Sequence, residues 1–281
     1  MRVLVTGSAG QLGHDVVAAC RRCGDDVAAV DRAALDVGDP DAVRRVVGDV
    51  RPEAIVNCAA WTAVDACESD PDRARRDNGD AVGWLRDAAE HVGAHLVQIS
   101  TDYVFDGSLD RPYVETDTPN PASVYGRSKL AGERAAGPRA TIVRTSWVCG
   151  EHGGNMVKTV LRLSAERDSL SFVDDQRGHP TFTADLAPLV RRLAVERRPG
   201  VFHATNQGAV SWYEFVRDIV AAAGRDPAIV HPISTSDLDP PRPAPRPANS
   251  VLDNAALRAA GIPLLRHYRE PLTELVARLL S

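Results

Sequence analysis

Lysine is almost missing from this 281-residue sequence, which makes nearly all of its positive charge with arginine. Of 33 Lys and Arg residues, only Lys129 and Lys158 are lysine. A chain that avoids lysine but keeps one four residues after Tyr125 indicates that arginine would not serve there. Arginine is a broad planar fork, whereas lysine is a compact point charge on a flexible stem.

The sequence also lacks an excess of positive charge and any long apolar run. Its formal net charge is −5, so no basic field favours nucleic acid or an anionic membrane as a partner. No apolar stretch approaches the length of a membrane span. The first strand is expected to begin at residue 2, which leaves no room for a secretory leader. We therefore expect a cytoplasmic protein that binds neither nucleic acid nor membranes.

Cysteine is scarce, odd in number and scattered, which excludes a disulfide framework. Cys20 and Cys23 form a C-x-x-C pair, but no second pair accompanies them, so metal or redox use is not indicated. We therefore predict reduced thiols and no metal ion.

A glycine-rich turn near the amino terminus is the first positive signal. An apolar run of strand length leads into Gly7, Gly10 and Gly13, and a helical pattern follows. In this context the first glycine permits a tight turn, the second lets the backbone approach a pyrophosphate, and the third lets helix pack on strand. The helix N-terminus then faces the phosphates with its unpaired N–H groups. The turn predicts a dinucleotide site.

The second predicted strand ends in Asp31-Arg32, which bears on the choice of cofactor. The acid suits the ribose hydroxyls of NAD, whereas the arginine suits the 2′-phosphate of NADP. The two residues favour different cofactors, so both NADPH and NADH stay open. Asp36-Val37 comes just before the next helix and is either beside the adenine or a plain capping loop.

Tyr125 and Lys129 are one helical turn apart and so share a helix face. An ammonium near a phenol favours the ionised form, which predicts a tyrosine that exchanges protons near neutral pH. Thr101, after the fourth predicted strand, is placed to bond the phenol and a substrate carbonyl. The alternatives are an ordinary packed tyrosine and a turn held by Ser100-Thr101-Asp102.

The alternation of strands and helices predicts an α/β fold, a Rossmann-type doubly wound parallel sheet with a smaller C-terminal substrate-binding lobe. Strands are predicted at 2–6, 26–31, 53–58, 95–100 and 140–145, and helices near 11–23, 39–49, 70–92, 123–136, 155–167, 183–196, 211–223 and 265–280. Residues 1–148 form the dinucleotide-binding domain, to which 183–200 return. Residues 149–182 and 201–281 form the lobe.

Three further segments are expected at the carboxyl ends of the strands, where ligands of such sheets bind. Ala59 and Ala60 are small enough to let a nicotinamide ribose lie against the backbone. Trp147 is either a platform for a sugar or base, or a core residue. The proline-rich stretch 240–247 has the composition of a linker. Its Arg246 is predicted to meet a substrate diphosphate, the alternative being a solvated loop arginine.

Taken together, these motifs resemble an extended short-chain dehydrogenase/reductase, and more closely the dTDP-4-dehydrorhamnose reductase family. The resemblance covers nearly the whole chain. It rests on the glycine turn and on Asn57-Cys58-Ala59-Ala60, Ser100-Thr101-Asp102-Tyr103-Val104-Phe105, Tyr125-x-x-x-Lys129, Arg144-Thr145-Ser146-Trp147-Val148, Asp174-Asp175-Gln176-x-Gly178-x-Pro180-Thr181 and Pro245-Arg246-Pro247-x-Asn249-Ser250.

The resemblance implies reduction by NADPH or NADH of the C4 ketone of dTDP-4-dehydro-β-L-rhamnose, to give dTDP-L-rhamnose. It implies that Tyr125 protonates the alkoxide, Lys129 holds the nicotinamide ribose and Thr101 completes the triad. The other implied contacts are pyrophosphate with Gly10, Gln11 and Leu12, adenosine with Asp31, Asp36 and Val37, and sugar with Thr101, Asp102 and Trp147.

Related sugar-nucleotide dehydratases place an Asp-Glu pair after the threonine, whereas this chain has Asp102-Tyr103, which favours simple reduction.

Some family members dimerise around magnesium. Asp15 is one candidate ligand, but Phe182-Thr183-Ala184 lacks a carboxylate, so we expect a monomer or homodimer without metal. Two alternatives stay open. One is a reductase of another dTDP-deoxysugar, and the other is a non-catalytic regulatory subunit, as in the β subunit of methionine adenosyltransferase.

Overall fold

A computed structural model describes all 281 residues of the chain, Met1–Ser281. Strands β1 to β12 are, in chain order, Arg2–Thr6, Asp26–Val30, Ala54–Asn57, His95–Thr101, Thr141–Thr145, Val148–Cys149, Leu170–Val173, Arg177–Gly178, Thr181–Phe182, Gly200–His203, Val210–Ser211 and Val230–Ile233. Helices α1 to α11 are Gln11–Arg22, Pro40–Val50, Val64–Ser69, Pro71–Arg75, Ala81–Val92, Val124–Ala136, Met156–Glu166, Thr183–Val195, Trp212–Ala222, Ala255–Ala259 and Arg269–Leu280.

A six-stranded sheet organises the larger part of the molecule, with the strand order β10-β5-β4-β3-β1-β2 and every pairing parallel. The chain moves outward from β1 in both directions, so the order reverses between β1 and β3. At such a reversal the connecting loops diverge and leave a crevice beyond the carboxyl ends of the strands. The predicted doubly wound fold is confirmed.

Continuous apolar runs form the central strands because both faces of the sheet are covered. Residues 3–5 and 54–56 are fully buried. One face packs against α1 and α8, and the other against α2 and α5. A separate apolar core holds the smaller lobe together, where α7, α9 and α11 pack on the β7–β12 pair.

The predicted ranges match the structure closely, but the short helices α3 and α10 were not predicted, and two predicted segments differ in detail. The single helix expected over 70–92 is divided into α4, a π-helical turn at Arg76–Asp80, and α5. The segment that returns to the main sheet ends three residues later than predicted, because β10 at Gly200–His203 pairs with β5. A four-residue strand with a glycine at one end has too little apolar pattern to be recognised from sequence.

No helix of the chain is both long enough and apolar enough to span a bilayer.

Close packing of α6 against the π-helical turn generates a stability prediction. A Cβ at Gly132 would lie 2.2 Å from the Asn78 carbonyl oxygen, whereas a Cβ at Gly83 would meet only a side-chain carbon, at 3.7 Å. Gly132→Ala should therefore lower the free energy of unfolding by about 1–3 kcal/mol through overpacking. Gly83→Ala, the matched control in α5, should raise it by about 0.5–1 kcal/mol through helix propensity. Denaturant unfolding measures both, and equal stability of the two variants would contradict the packing argument.

Candidate functional site

The turn after β1 is packed too tightly for any residue but glycine at two positions. Gly7 has a φ of +64°, and a Cβ there would lie 2.7 Å from the backbone nitrogen of Ala59. A Cβ at Gly13 would lie 2.2 Å from the Gly7 carbonyl oxygen. Gly10 caps α1 without any side-chain hydrogen bond. The first N–H groups of the helix are therefore left to a ligand, and such a terminus suits a phosphate.

A cavity of about 250 Å³ opens beside this turn, at the reversal of strand order. It brings together eight of the predicted cofactor residues, namely Gly7, Gly10, Asp31, Arg32, Asp36, Val37, Ala59 and Ala60. Trp61 and the buried carboxylate of Asp77 also line it, and no sequence pattern had indicated them. Leu12 is buried in the core, so only its backbone faces the turn. The donor set fits a dinucleotide.

Asp31 and Arg32 differ in how free they are to bind a ligand. One oxygen of Asp31 accepts the backbone N–H groups of Ala33 and Ala34, both at 3.0 Å, which leaves the other oxygen for a ribose hydroxyl. Arg32 is exposed at the rim of the cavity and makes no ion pair. Arg32 without an ion pair suits the 2′-phosphate of NADPH, and the free oxygen of Asp31 suits a ribose hydroxyl of NADH, so the pair fits both cofactors.

Tyr125 lies in the first turn of α6, where Ser123 caps the helix by accepting the Gly126 N–H at 3.0 Å. Its side chain is buried and meets the ring of Tyr103 edge-on, with centroids 5.6 Å apart. Burial raises the pKa of Tyr125 above its ordinary value, and the neighbouring Thr101 side chain opposes that rise. At neutral pH the phenol is therefore protonated and able to donate.

Lys129 lies one turn further along α6, and its buried ammonium donates to the carbonyl of Ile99 on β4 at 2.7 Å. Burial lowers the pKa of Lys129 to about 8, and the Glu133 carboxylate opposes that shift. The sequence-based expectation that Lys129 depresses the phenol pKa does not describe this geometry, since burial of Tyr125 has the larger effect. The ammonium keeps donors free beyond the bond to Ile99.

Asp102 follows the triad threonine and is 2 % exposed. One of its oxygens accepts the Thr101 hydroxyl at 2.9 Å, while the other has no hydrogen-bond partner. Burial raises the pKa of this carboxyl to about 6. A buried, unpaired acceptor beside the Thr101 hydroxyl is suited to a ligand hydroxyl, because leaving it unmatched is costly.

Trp147 adopts a φ of +45°, a strained value for a bulky residue. Its indole stacks on Trp212 with centroids 3.6 Å apart, and a Cβ on Gly178 would lie 2.7 Å from it. One face of the indole is therefore covered by Trp212, and the absence of a side chain at Gly178 leaves room for its six-membered ring. Trp212 is a partner that sequence patterns missed, because it lies at the start of α9, far along the chain.

Arg246 does not lie in a free linker, as composition suggested. Its guanidinium holds both oxygens of Asp65, at 2.5 and 2.8 Å, and its side chain is 9 % exposed. Ala244 and Pro247 beside it are buried. The stretch is packed against the rest of the molecule because this ion pair fastens it to α3.

His14, Asp15 and His152 form a cluster at the outer edge of the glycine turn. Each offers one ligand atom, all within 4.8 Å of one another, and the two imidazole rings lie tilted at 33° with centroids 3.4 Å apart. Asp15 is the acid that the sequence singled out, and the two histidines add to it from separate segments.

Comparisons with known proteins agree with this geometry. The family model described as the RmlD substrate binding domain matches residues 1–281. A dTDP-4-dehydrorhamnose reductase from Streptomyces griseus is 45% identical, covering 97% of this chain and 92% of that protein. A probable dTDP-4,6-dihydroxy-2-methyloxan-3-one 4-ketoreductase from Streptomyces antibioticus is 42% identical, covering 98% and 94%. A solved dTDP-4-dehydrorhamnose reductase from Bacillus anthracis, in complex with NADP, superimposes with a TM-score of 0.94 at 37% identity, covering 99% of both chains.

The unpaired Arg32 yields a prediction on cofactor preference. Arg32→Ala should raise the Kd of NADPH roughly tenfold, because a charge-assisted bond to the 2′-phosphate is lost, and should change the Kd of NADH little. Fluorescence titration with each cofactor measures this, and Arg45→Ala is the control for an exposed arginine outside the cavity. An equal loss for both cofactors would show that Arg32 points away from the adenosine.

Proposed function

Because this chain belongs to the RmlD substrate-binding-domain family, we propose that it reduces the C4 ketone of dTDP-4-dehydro-β-L-rhamnose to give dTDP-L-rhamnose, with NADPH or NADH as the reductant. The observation that supports this most is the packing of α6, which carries Tyr125 and Lys129, against the end of β4: Lys129 donates to the Ile99 carbonyl, and Thr101 follows two residues later on the same strand. Relatives bearing the reductase name cover nearly the whole chain, and one is solved with NADP.

The chemistry follows from the protonation states of the triad. The nicotinamide, when bound, supplies a hydride to the carbonyl carbon. The protonated Tyr125 phenol donates its proton to the carbonyl oxygen as negative charge develops there. Thr101, whose hydroxyl donates to Asp102 at 2.9 Å, is proposed to orient the phenol. Lys129, held at one donor by Ile99, offers its remaining donors to the nicotinamide ribose.

The sugar nucleotide is proposed to lie between the triad and the lobe. The unpaired oxygen of Asp102 accepts a sugar hydroxyl, and the edge of the Trp147–Trp212 stack bounds the ring. Arg246 has five N–H donors, of which two go to Asp65 and one to the Ala244 carbonyl. Two remain for the diphosphate.

A second candidate is 4-ketoreduction of another dTDP-deoxysugar, which the relative from Streptomyces antibioticus favours at 42% identity. The same triad would perform it, and the lobe would read a different sugar. Purified enzyme assayed against a panel of dTDP-4-keto sugars, with loss of NADPH absorbance as the readout, separates the two. A non-catalytic role is disfavoured because the triad and glycine turn are intact.

Five cysteines without disulfide partners support a cytoplasmic location. We further propose that the enzyme acts as a monomer or homodimer, needs no metal ion, and binds no nucleic acid.

Tyr125→Phe removes the phenolic hydroxyl, which is the proposed proton donor, and keeps the rest of the side chain. The turnover number should fall roughly 10²–10⁴-fold, the contribution of a positioned acid, while the Kd of NADPH stays unchanged. Steady-state kinetics together with cofactor titration measures this. Turnover near the wild-type value would remove Tyr125 from the mechanism.

Arg246→Ala removes binding energy that is remote from the reacting carbonyl. The KM for the dTDP-sugar should rise roughly tenfold or more, as for a lost charge-assisted hydrogen bond, while the KM for NADPH barely moves. Each substrate is varied in turn at saturation of the other. Unchanged kinetic constants for the sugar nucleotide would return Arg246 to a structural role.

A further inference from the structure

The proline-rich loop of residues 239–247 is fastened to the rest of the molecule through one side chain. Every hydrogen bond that these residues make outside the loop ends on the Asp65 carboxylate: one from the Ala244 backbone N–H at 3.1 Å and two from Arg246. Arg242 approaches the same carboxylate at 4.0 Å. Beyond the loop, the Ala248 carbonyl accepts the Arg177 N–H and continues into regular backbone contacts.

Asp65 itself lies on the other side of the crevice. It is in the first turn of α3, which follows the segment Cys58–Trp61 that lines the dinucleotide cavity. The Arg246–Asp65 pair therefore joins the cofactor wall to the substrate lobe. The hydrogen bonding from the Arg246 guanidinium is the largest factor holding the pKa of Asp65 below its ordinary range, so the carboxylate is ionised at neutral pH.

Burial raises the pKa of Tyr103 and the charge of Arg246 opposes that rise, while the Tyr103 ring meets that of Tyr125 edge-on. Arg246 is therefore ion-paired with Asp65 and acts electrostatically on the neighbour of Tyr125. Proline at five positions of the loop limits its freedom and removes N–H donors, which leaves the Ala244 N–H as the one backbone donor that holds the loop from outside.

We propose that Asp65 is a positioning residue: it holds Arg246 in the orientation that receives the nucleotide end of the substrate, and so closes the proline-rich loop over the Tyr103–Tyr125 pair. This rests on the proposed function. Two of the five guanidinium donors are committed to Asp65, so the remaining ones point in a fixed direction before any ligand arrives. A pre-ordered arginine spares the ligand the entropy of ordering it.

In the opposite role, Asp65 competes with the substrate: its carboxylate occupies Arg246 until the diphosphate displaces it. The two roles predict opposite signs. Removing a positioning group weakens binding of the sugar nucleotide, whereas removing a competitor strengthens it.

The test is Asp65→Asn, which keeps shape but removes the charge, with Asp65→Glu as the conservative variant and Glu274→Gln as the matched control. Glu274 also holds an arginine, Arg266, with both carboxylate oxygens, but on α11 away from the crevice. We expect Asp65→Asn to raise the KM for the dTDP-sugar roughly three- to tenfold, the cost of ordering one long side chain. We expect Asp65→Glu to recover part of the loss, and the NADPH Kd and Glu274→Gln to stay at wild-type values.

A double-mutant cycle with Arg246→Ala separates action through Arg246 from a general loss of structure. If Asp65 works through the arginine, Asp65→Asn should add little to Arg246→Ala, so the two effects will not sum. Additive effects, or a lowered or unchanged KM in Asp65→Asn, would overturn the proposal.

Two readouts without turnover keep this result distinct from the proposed function. Calorimetric titration with dTDP alone should show the same weakening in Asp65→Asn. Hydrogen exchange of the peptide spanning the loop should show faster exchange of the Ala244 amide, because its acceptor is weakened. If wild-type enzyme reduces no dTDP-sugar but these two shifts appear, the proposed reaction is wrong and the positioning role stands. If the sugar is reduced and neither shift appears, the positioning role is wrong.

Discussion

A buried ion pair between Glu133 and Arg144 is the interaction on which the catalytic geometry depends. The Arg144 guanidinium donates twice to the Glu133 carboxylate, at 2.9 and 2.7 Å, and the Ser100 hydroxyl donates to it at 2.5 Å. Both charged side chains are nearly inaccessible to solvent. Because a buried charge without its partner is very costly, α6 cannot shift relative to β4 and β5 without breaking this set.

The consequence is that α6, β4 and β5 are held in one register, and the groups proposed to be catalytic lie on the first two. Glu133 lies one turn beyond Lys129, which lies one turn beyond Tyr125, so all three side chains share a face of α6. Ser100 and Thr101 are adjacent on β4, and Arg144 precedes the strained Trp147. The same buried carboxylate also opposes the loss of charge that burial imposes on Lys129. The Glu133 carboxylate therefore both fixes the position of α6 and stabilises the charge of Lys129.

Much of the fold and of the cofactor side could be read from local sequence, because local rules decide them. The glycine turn, the strand–helix alternation and the spacing of Tyr125 and Lys129 are all properties of short segments. Trp61, Asp77 and Trp212 could not be found this way, since their roles come from contacts between distant segments. The linker reading of 240–247 failed for the same reason: composition shows the prolines but not the carboxylate of Asp65 that fastens them.

The two halves of the crevice are consequently built on different physical principles. The cofactor side is shaped by backbone, where any Cβ at Gly7 or Gly13 would collide with a carbonyl or amide, so its form is set once the chain folds. The proposed substrate side is shaped by charged and aromatic side chains from later parts of the chain, among them Arg246 and Trp212. Such side chains can be substituted without disturbing the sheet. A family of this fold can therefore vary the sugar that it accepts through these residues, while the hydride and proton transfers stay the same.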